Sequence, residues 1–158
     1  MGFSDAAILL ERALARGIMI TSAESCTGGM VAAALTDLPG SSAMFDRGFV
    51  TYTNDAKIDL LDVSPATLDQ FGAVSEQVAR EMALGALAHS KAQIAVSITG
   101  IAGPGGSEHK PEGRVCFGLA TDENVAVETM DFGPLGRDKV RLAARDHALT
   151  LLLGAVSN

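Results

Sequence analysis

Along this chain the apolar positions switch between a helical rhythm and a strand-like one, and the switches mark its elements. Ile8, Leu9, Ala13 and Leu14 share one face of a first helix, which Ser4 or Asp5 caps and Gly17 terminates. The apolar run 18–21 reads as a short buried strand. The alanine-rich run 30–35 reads as a buried helix stopped by Pro39-Gly40, so the two form a strand-turn-helix unit. Aromatic and β-branched residues mark 45–52 as a second strand, followed by a short helix over 55–61 with Asn54 as its cap. Pro65 opens another short helix that Gly72 closes, and Ser75-Glu76 supplies the cap and acidic first turn of a longer helix running to His89. Residues 93–99 read as a central strand and 100–113 as a Gly/Pro-rich loop. A hairpin then spans 114–121 and 125–132 across Asp122-Glu123-Asn124, and 137–153 forms the last helix.

Strands that alternate with helices predict an α/β fold: three α/β/α layers around a mixed, mostly parallel sheet, with the late hairpin antiparallel. With 158 residues, 47% of them hydrophobic, the chain is expected to form one domain over 1–158, undivided by repeats, low-complexity tracts or linkers. The 19 acidic and 12 basic residues leave a net charge of −7, which repels phosphate backbones and argues against nucleic-acid binding. Two cysteines, Cys26 and Cys116, are too few for a disulfide scaffold and fit a reduced cytoplasmic setting. The first residues lack the basic-then-apolar order of a secretory signal, and no apolar run approaches the ~18 residues of a membrane helix. A soluble protein without a membrane partner is expected.

The chemistry concentrates at the junctions. Ala23-Glu24-Ser25-Cys26-Thr27-Gly28-Gly29 lies between the first strand and its helix, where backbone N–H groups and the helix dipole favour negative charge. Ser25 can serve there as a nucleophile, with N–H groups of Cys26, Thr27, Gly28 and Gly29 around the resulting oxyanion. Equally, Ser25 or Thr27 can simply cap the helix while the glycines relieve packing. Lys57, in the first turn of its helix, is either a general base with weakened proton affinity or a solvated partner of Asp55 or Asp59. Tyr52, the sole tyrosine, is either a proton carrier or a packing aromatic. His89, His109 and His147 are poorly placed to act as the base. Thr99-Gly100-Ile101-Ala102-Gly103-Pro104-Gly105-Gly106 follows the central strand and exposes N–H groups suited to an anion, yet matches neither a Walker loop nor a dinucleotide fingerprint. No spacing of Cys, His or acidic residues suits a metal, and Cys26 is either a thiol nucleophile or a buried small residue.

Four segments together carry a resemblance: Ala23 to Gly29, Phe49-Val50-Thr51-Tyr52-Thr53-Asn54 with Lys57, Gly72-Ala73-Val74-Ser75, and Thr99 to Gly106. In this order they resemble the CinA carboxy-terminal domain family over nearly the whole chain. The resemblance implies an amidohydrolase that converts nicotinamide mononucleotide to nicotinate mononucleotide and ammonia, in pyridine nucleotide recycling, with no metal or other cofactor. It matches the family's serine, tyrosine and lysine to Ser25, Tyr52 and Lys57, working through an acyl-enzyme. Substrate contacts are expected from Cys26, Thr27, Gly28, Gly29, Ser75, Thr99, Gly100, Gly103, Gly105 and Gly106, with Arg137 or Arg141 on the phosphate. A homo-oligomer is expected. The alternatives are a nucleotide-binding or regulatory module of the same family without turnover, and a thiol amidase using Cys26. Many CinA proteins carry a further amino-terminal domain resembling molybdopterin-binding proteins, whose activity this chain is not expected to have.

Overall fold

The computed structural model describes residues 2–107 and 109–157, and the side chains from residue 5 onward. Helix α1 (Gly2–Arg16) is followed by β1 (Ile20–Glu24), α2 (Met30–Leu35), a 3₁₀ turn (Ser41–Ala43) and β2 (Phe45–Val50). Then come α3 (Asn54–Leu61), α4 (Pro65–Phe71), α5 (Glu76–Ala88), β3 (Ile94–Gly100), β4 (Arg114–Thr121), β5 (Val125–Asp131) and α6 (Arg137–Ser157).

The sheet order is β2-β1-β3-β4-β5. β1 pairs in parallel with β2 and with β3, while β3–β4 and β4–β5 are antiparallel, so four of the five strands run in one direction. Side chains alternate between the faces of β3. Ile94, Val96 and Ile98 join α1, α2 and α6 in one core, and Ala95 faces the other, built with α3, α4 and α5. Small residues let α5 approach closely. Ser97 Oγ donates to Ala79 O at 2.6 Å, and a side chain at Gly118 would collide with that same carbonyl.

The helices follow local signals. Ser75 caps α5 by accepting from Val78 N at 3.2 Å, and Pro65 sits in the first turn of α4. Several boundaries differ from the sequence reading, β2 ending at Val50 rather than residue 52 and α6 running on to Ser157 rather than residue 153. The α3 cap is Thr53, whose Oγ1 accepts from Ala56 N at 3.1 Å, so Asn54 is already helical. α1 begins at Gly2, ahead of Ser4 and Asp5, and the Ser4 side chain lies outside the described residues. β1 occupies Ile20–Glu24 rather than 18–21, because buried polar residues continue it past the apolar run: Thr21 Oγ1 donates to Arg47 O at 2.6 Å, and the Glu24 carboxyl group accepts from backbone N–H groups.

The connections that follow β1 and β2 lie on opposite faces of the sheet. After β1 the chain crosses through α2 to β2; after β2 it passes through α3, α4 and α5 to β3 on the other side of β1. The crevice at such a switch, outside the carboxyl ends of the strands, is where open α/β sheets bind ligands. Among the described residues no helix is long and apolar enough to cross a membrane.

Candidate active site

Each of the three parallel strands delivers one wall of this crevice. β1 ends at Glu24 and releases the 25–29 turn; β2 leads to Tyr52 and Lys57; β3 leads to the 99–107 loop. The walls enclose a cavity of about 360 Å³ lined by Ser25, Cys26, Tyr52, Lys57, Ala73, Val74, the whole 99–107 loop and Arg137. Lys57 and Arg137 are the charged residues of that lining, so the cavity is cationic in an acidic protein.

Ser25 and Lys57 meet inside it. Lys57 Nζ lies 3.0 Å from Ser25 Oγ, 2.8 Å from Thr51 O and 3.4 Å from Tyr52 O. The lysine is 1% exposed and Ser25 8% exposed. Burial, which disfavours the ammonium form, pushes the Lys57 pKa down from 10.5 to about 8. A neutral amine has two N–H bonds and one lone pair. The two carbonyls take the N–H bonds, and the lone pair is left for the hydroxyl proton of Ser25. Neither Asp55 nor Asp59 pairs with this lysine.

The turn that presents Ser25 is fixed on every side. Ser25 N donates to Ile98 O at 2.9 Å, Gly28 N to Ser25 O at 3.0 Å and Met30 N to Thr27 O at 3.1 Å. Gly28 (φ 57°) and Gly29 (φ 108°) occupy left-handed backbone that glycine adopts without strain. Arg141 braces the turn from behind, donating to Cys26 O at 3.0 Å and Thr27 O at 3.3 Å.

Several expected contacts change role. The N–H groups of Gly29, Val31 and Ala32 donate to the buried carboxyl group of Glu24, so the α2 start is already occupied and Gly28 and Gly29 have no donor for an oxyanion. Among the described residues Cys26 N and Thr27 N remain without a partner, and of these two residues Cys26 lines the cavity. Ser75 does not line it, because its hydroxyl caps α5 and donates to Gly72 O. Arg141 points to the back of the turn, whereas Arg137 lines the cavity and donates to Gly103 O and to Tyr52 Oη, each at 2.7 Å. Tyr52 therefore stands half-exposed at the rim with its hydroxyl accepting from Arg137, and in this structure that hydroxyl makes no hydrogen bond to Ser25 or Lys57. Burial pushes the Cys26 thiol up to about 12, so it is protonated and inert at neutral pH.

The 99–107 loop is placed by its own contacts. Thr99 Oγ1 donates to Ala73 O at 2.9 Å, and a side chain at Gly100 would collide with Val115. Gly105 N donates to Glu112 Oε1 at 2.6 Å, which removes one expected anion donor. The N–H groups of Ala102, Gly103 and Gly106 have no partner among the described residues. Lys110 joins this loop to the opposite wall by donating to Phe71 O at 2.7 Å and Val74 O at 2.5 Å. Glu24 and Lys110 were not singled out from sequence. A charged residue ending a buried strand just before a serine is the signal that marks Glu24, whereas nothing local marks Lys110.

A family model described as the CinA C-terminal domain matches residues 4–156. The chain belongs to the CinA C-terminal domain family. It is 55% identical over 141 residues to the nicotinamide-nucleotide amidohydrolase PncC of Enterobacter agglomerans, covering 88% of this chain and 85% of that protein. The protein of the same name from Escherichia coli K12 is 53% identical over 139 residues, covering 87% and 84%. The CinA-like protein of Chlorobium limicola is 55% identical over 123 residues, which are 75% of this chain and 29% of that longer protein. Among solved structures, the competence/damage-inducible protein CihA from Agrobacterium tumefaciens superposes with a TM-score of 0.95 at 48% identity, covering 99% and 96% of the two chains. A CinA superfamily protein of Escherichia coli gives 0.95 at 36% identity, covering 98% and 90%.

Proposed function

We propose that this CinA-family chain is a nicotinamide mononucleotide amidohydrolase acting through Ser25 and Lys57. The observation that carries this reading is the buried 3.0 Å contact between Lys57 Nζ and Ser25 Oγ in a cationic cavity, in a chain 55% identical to a PncC amidohydrolase. Neutral Lys57 takes the hydroxyl proton as Ser25 Oγ bonds to the carboxamide carbon, and the Cys26 N–H stabilises the oxyanion. Collapse of the tetrahedral adduct breaks the C–N bond, Lys57 returns the proton to the leaving nitrogen, and ammonia departs. Water then enters, Lys57 accepts its proton as the hydroxide adds to the ester carbon, and Lys57 returns that proton to Ser25 Oγ as the C–O bond breaks, releasing nicotinate mononucleotide and restoring the Ser25 hydroxyl.

Arg137 and the N–H groups of Ala102, Gly103 and Gly106 hold the substrate phosphate, and Tyr52 orients Arg137 through its hydroxyl. The test is ammonia release from nicotinamide mononucleotide, free nicotinamide and glutamine. Release from the mononucleotide far above the other two is expected. Folded protein that binds the mononucleotide without releasing ammonia would instead be a nucleotide-binding module.

A further inference from the structure

Glu24 is a buried carboxyl group whose side chain has no basic partner among the described residues. It is 1% exposed, and its side chain accepts from backbone N–H groups: Gly29 at 3.2 Å and Val31 at 2.9 Å on one oxygen, Ala32 at 2.9 Å on the other. Taking a carboxyl group out of water is costly unless its bonds are replaced. The strand does not require one for packing, since Ile20 and Ala23 are buried in it as apolar residues. What the three bonds accomplish is closure: residue 24 is tied to residues 29, 31 and 32, which fixes both ends of the stretch carrying Ser25.

The main chain of the same residue reaches the base. Glu24 O accepts from Thr51 N at 2.8 Å, and Thr51 O accepts from Lys57 Nζ at 2.8 Å. One residue thus joins the nucleophile's turn, by its side chain, to the segment that anchors the amine, by its backbone. We propose that Glu24 is a positioning residue: its carboxyl group holds the Ser25 turn in register with Lys57 and, by occupying the α2 N–H groups, leaves the Cys26 N–H as the donor facing the cavity. This rests on the reading of Ser25 as the nucleophile. A glutamine at this position would turn an NH₂ toward one of the three backbone donors and lose at least one bond. Arg137 and the 99–107 loop lie on other walls, so ground-state binding of the mononucleotide is unaffected.

The test compares wild type, Glu24→Gln and Glu24→Asp by covalent labelling of Ser25 with a fluorophosphonate, alongside kcat, KM and thermal melting. Labelling needs no knowledge of the natural substrate. A displacement of the reacting oxygen on the order of 1 Å costs about 100-fold. The expected result is therefore labelling and kcat both reduced by about that factor in a folded variant, with KM for the mononucleotide changed by less than about twofold. Folded variants labelled at the wild-type rate would overturn the proposal alone. A wild-type protein not labelled at Ser25 would overturn the nucleophile reading and the proposal with it. If neither variant folds, Glu24 is a folding residue and the positioning role is refuted.

Discussion

The titration of Lys57 offers a quantitative test of the active site. Its pKa is lowered to about 8 because the amine is buried, with carbonyls and a hydroxyl around it rather than a carboxylate. Only the neutral amine can accept the Ser25 proton, so kcat should follow the neutral fraction, about one molecule in ten at pH 7 and half at the midpoint. Turnover should rise about tenfold per pH unit below the midpoint and level off above it. Measuring kcat at saturating mononucleotide from about pH 7 to about pH 9.5 keeps clear of the substrate phosphate, which titrates near pH 6. Lys57→Met should lower kcat by about 10²- to 10⁴-fold and abolish the inflection. The same shift acts on stability. Between about 8 and 10.5 the unfolded chain binds a proton that the folded chain does not, so this lysine's contribution rises with pH across that window. The rise is at most about 3 to 4 kcal/mol from the ~1.4 kcal/mol per pKa unit, and Lys57→Met should lack it. A flat kcat profile in the wild type, or an inflection that survives in Lys57→Met with near-normal turnover, would refute the assignment of the base.

Further outcomes follow from neighbouring geometry. Ser25→Ala should reduce ammonia release to background, whereas Cys26→Ala should keep kcat within about threefold, because the Cys26 thiol, raised to about 12, is not a nucleophile; the opposite pattern would favour the thiol. Arg137→Ala should raise KM for the mononucleotide about 10- to 100-fold, the loss of a charge-assisted bond, while leaving the unphosphorylated nucleoside unchanged in a steady-state assay. Gly85→Ala should lower the melting temperature by about 5–15 °C in calorimetry, since its Cβ would stand 1.9 Å from Leu61 O and force apart α5 and the helix that carries Lys57.

The architecture was legible wherever a local signal decided it. Pro65, the Ser75-Glu76 cap and the Gly/Pro-rich stretch after the central strand each impose their structure within a few residues. β1 was misplaced because polar residues continue it, Thr21 bonding across to β2 and Glu24 to the start of α2, and a reading by apolar runs stops before Glu24. The site was legible as residue types and as a family resemblance, not as geometry. Ser25 reaches Lys57 only through the parallel register of Glu24 with Val50 and the Thr53 cap that sets the start of α3. Arg137 and Arg141 are one helical turn apart, so sequence could not rank them; the structure gives the first to the cavity and the second to the back of the Ser25 turn. Tyr52 and Ser75 likewise had alternative uses, and tertiary contacts directed one hydroxyl to Arg137 and the other to a helix cap.

The central claim is a covalent ester between Ser25 and the substrate acyl group, formed with Lys57 as base. Rapid quenching of wild-type protein with nicotinamide mononucleotide, followed by intact-mass and peptide mass spectrometry, tests it most directly. An adduct with the mass of the substrate less ammonia, confined to the peptide carrying Ser25 and absent in Ser25→Ala, is the predicted result. Steady ammonia release with no adduct under conditions where deacylation is slowed, or an adduct on Cys26, would contradict the account.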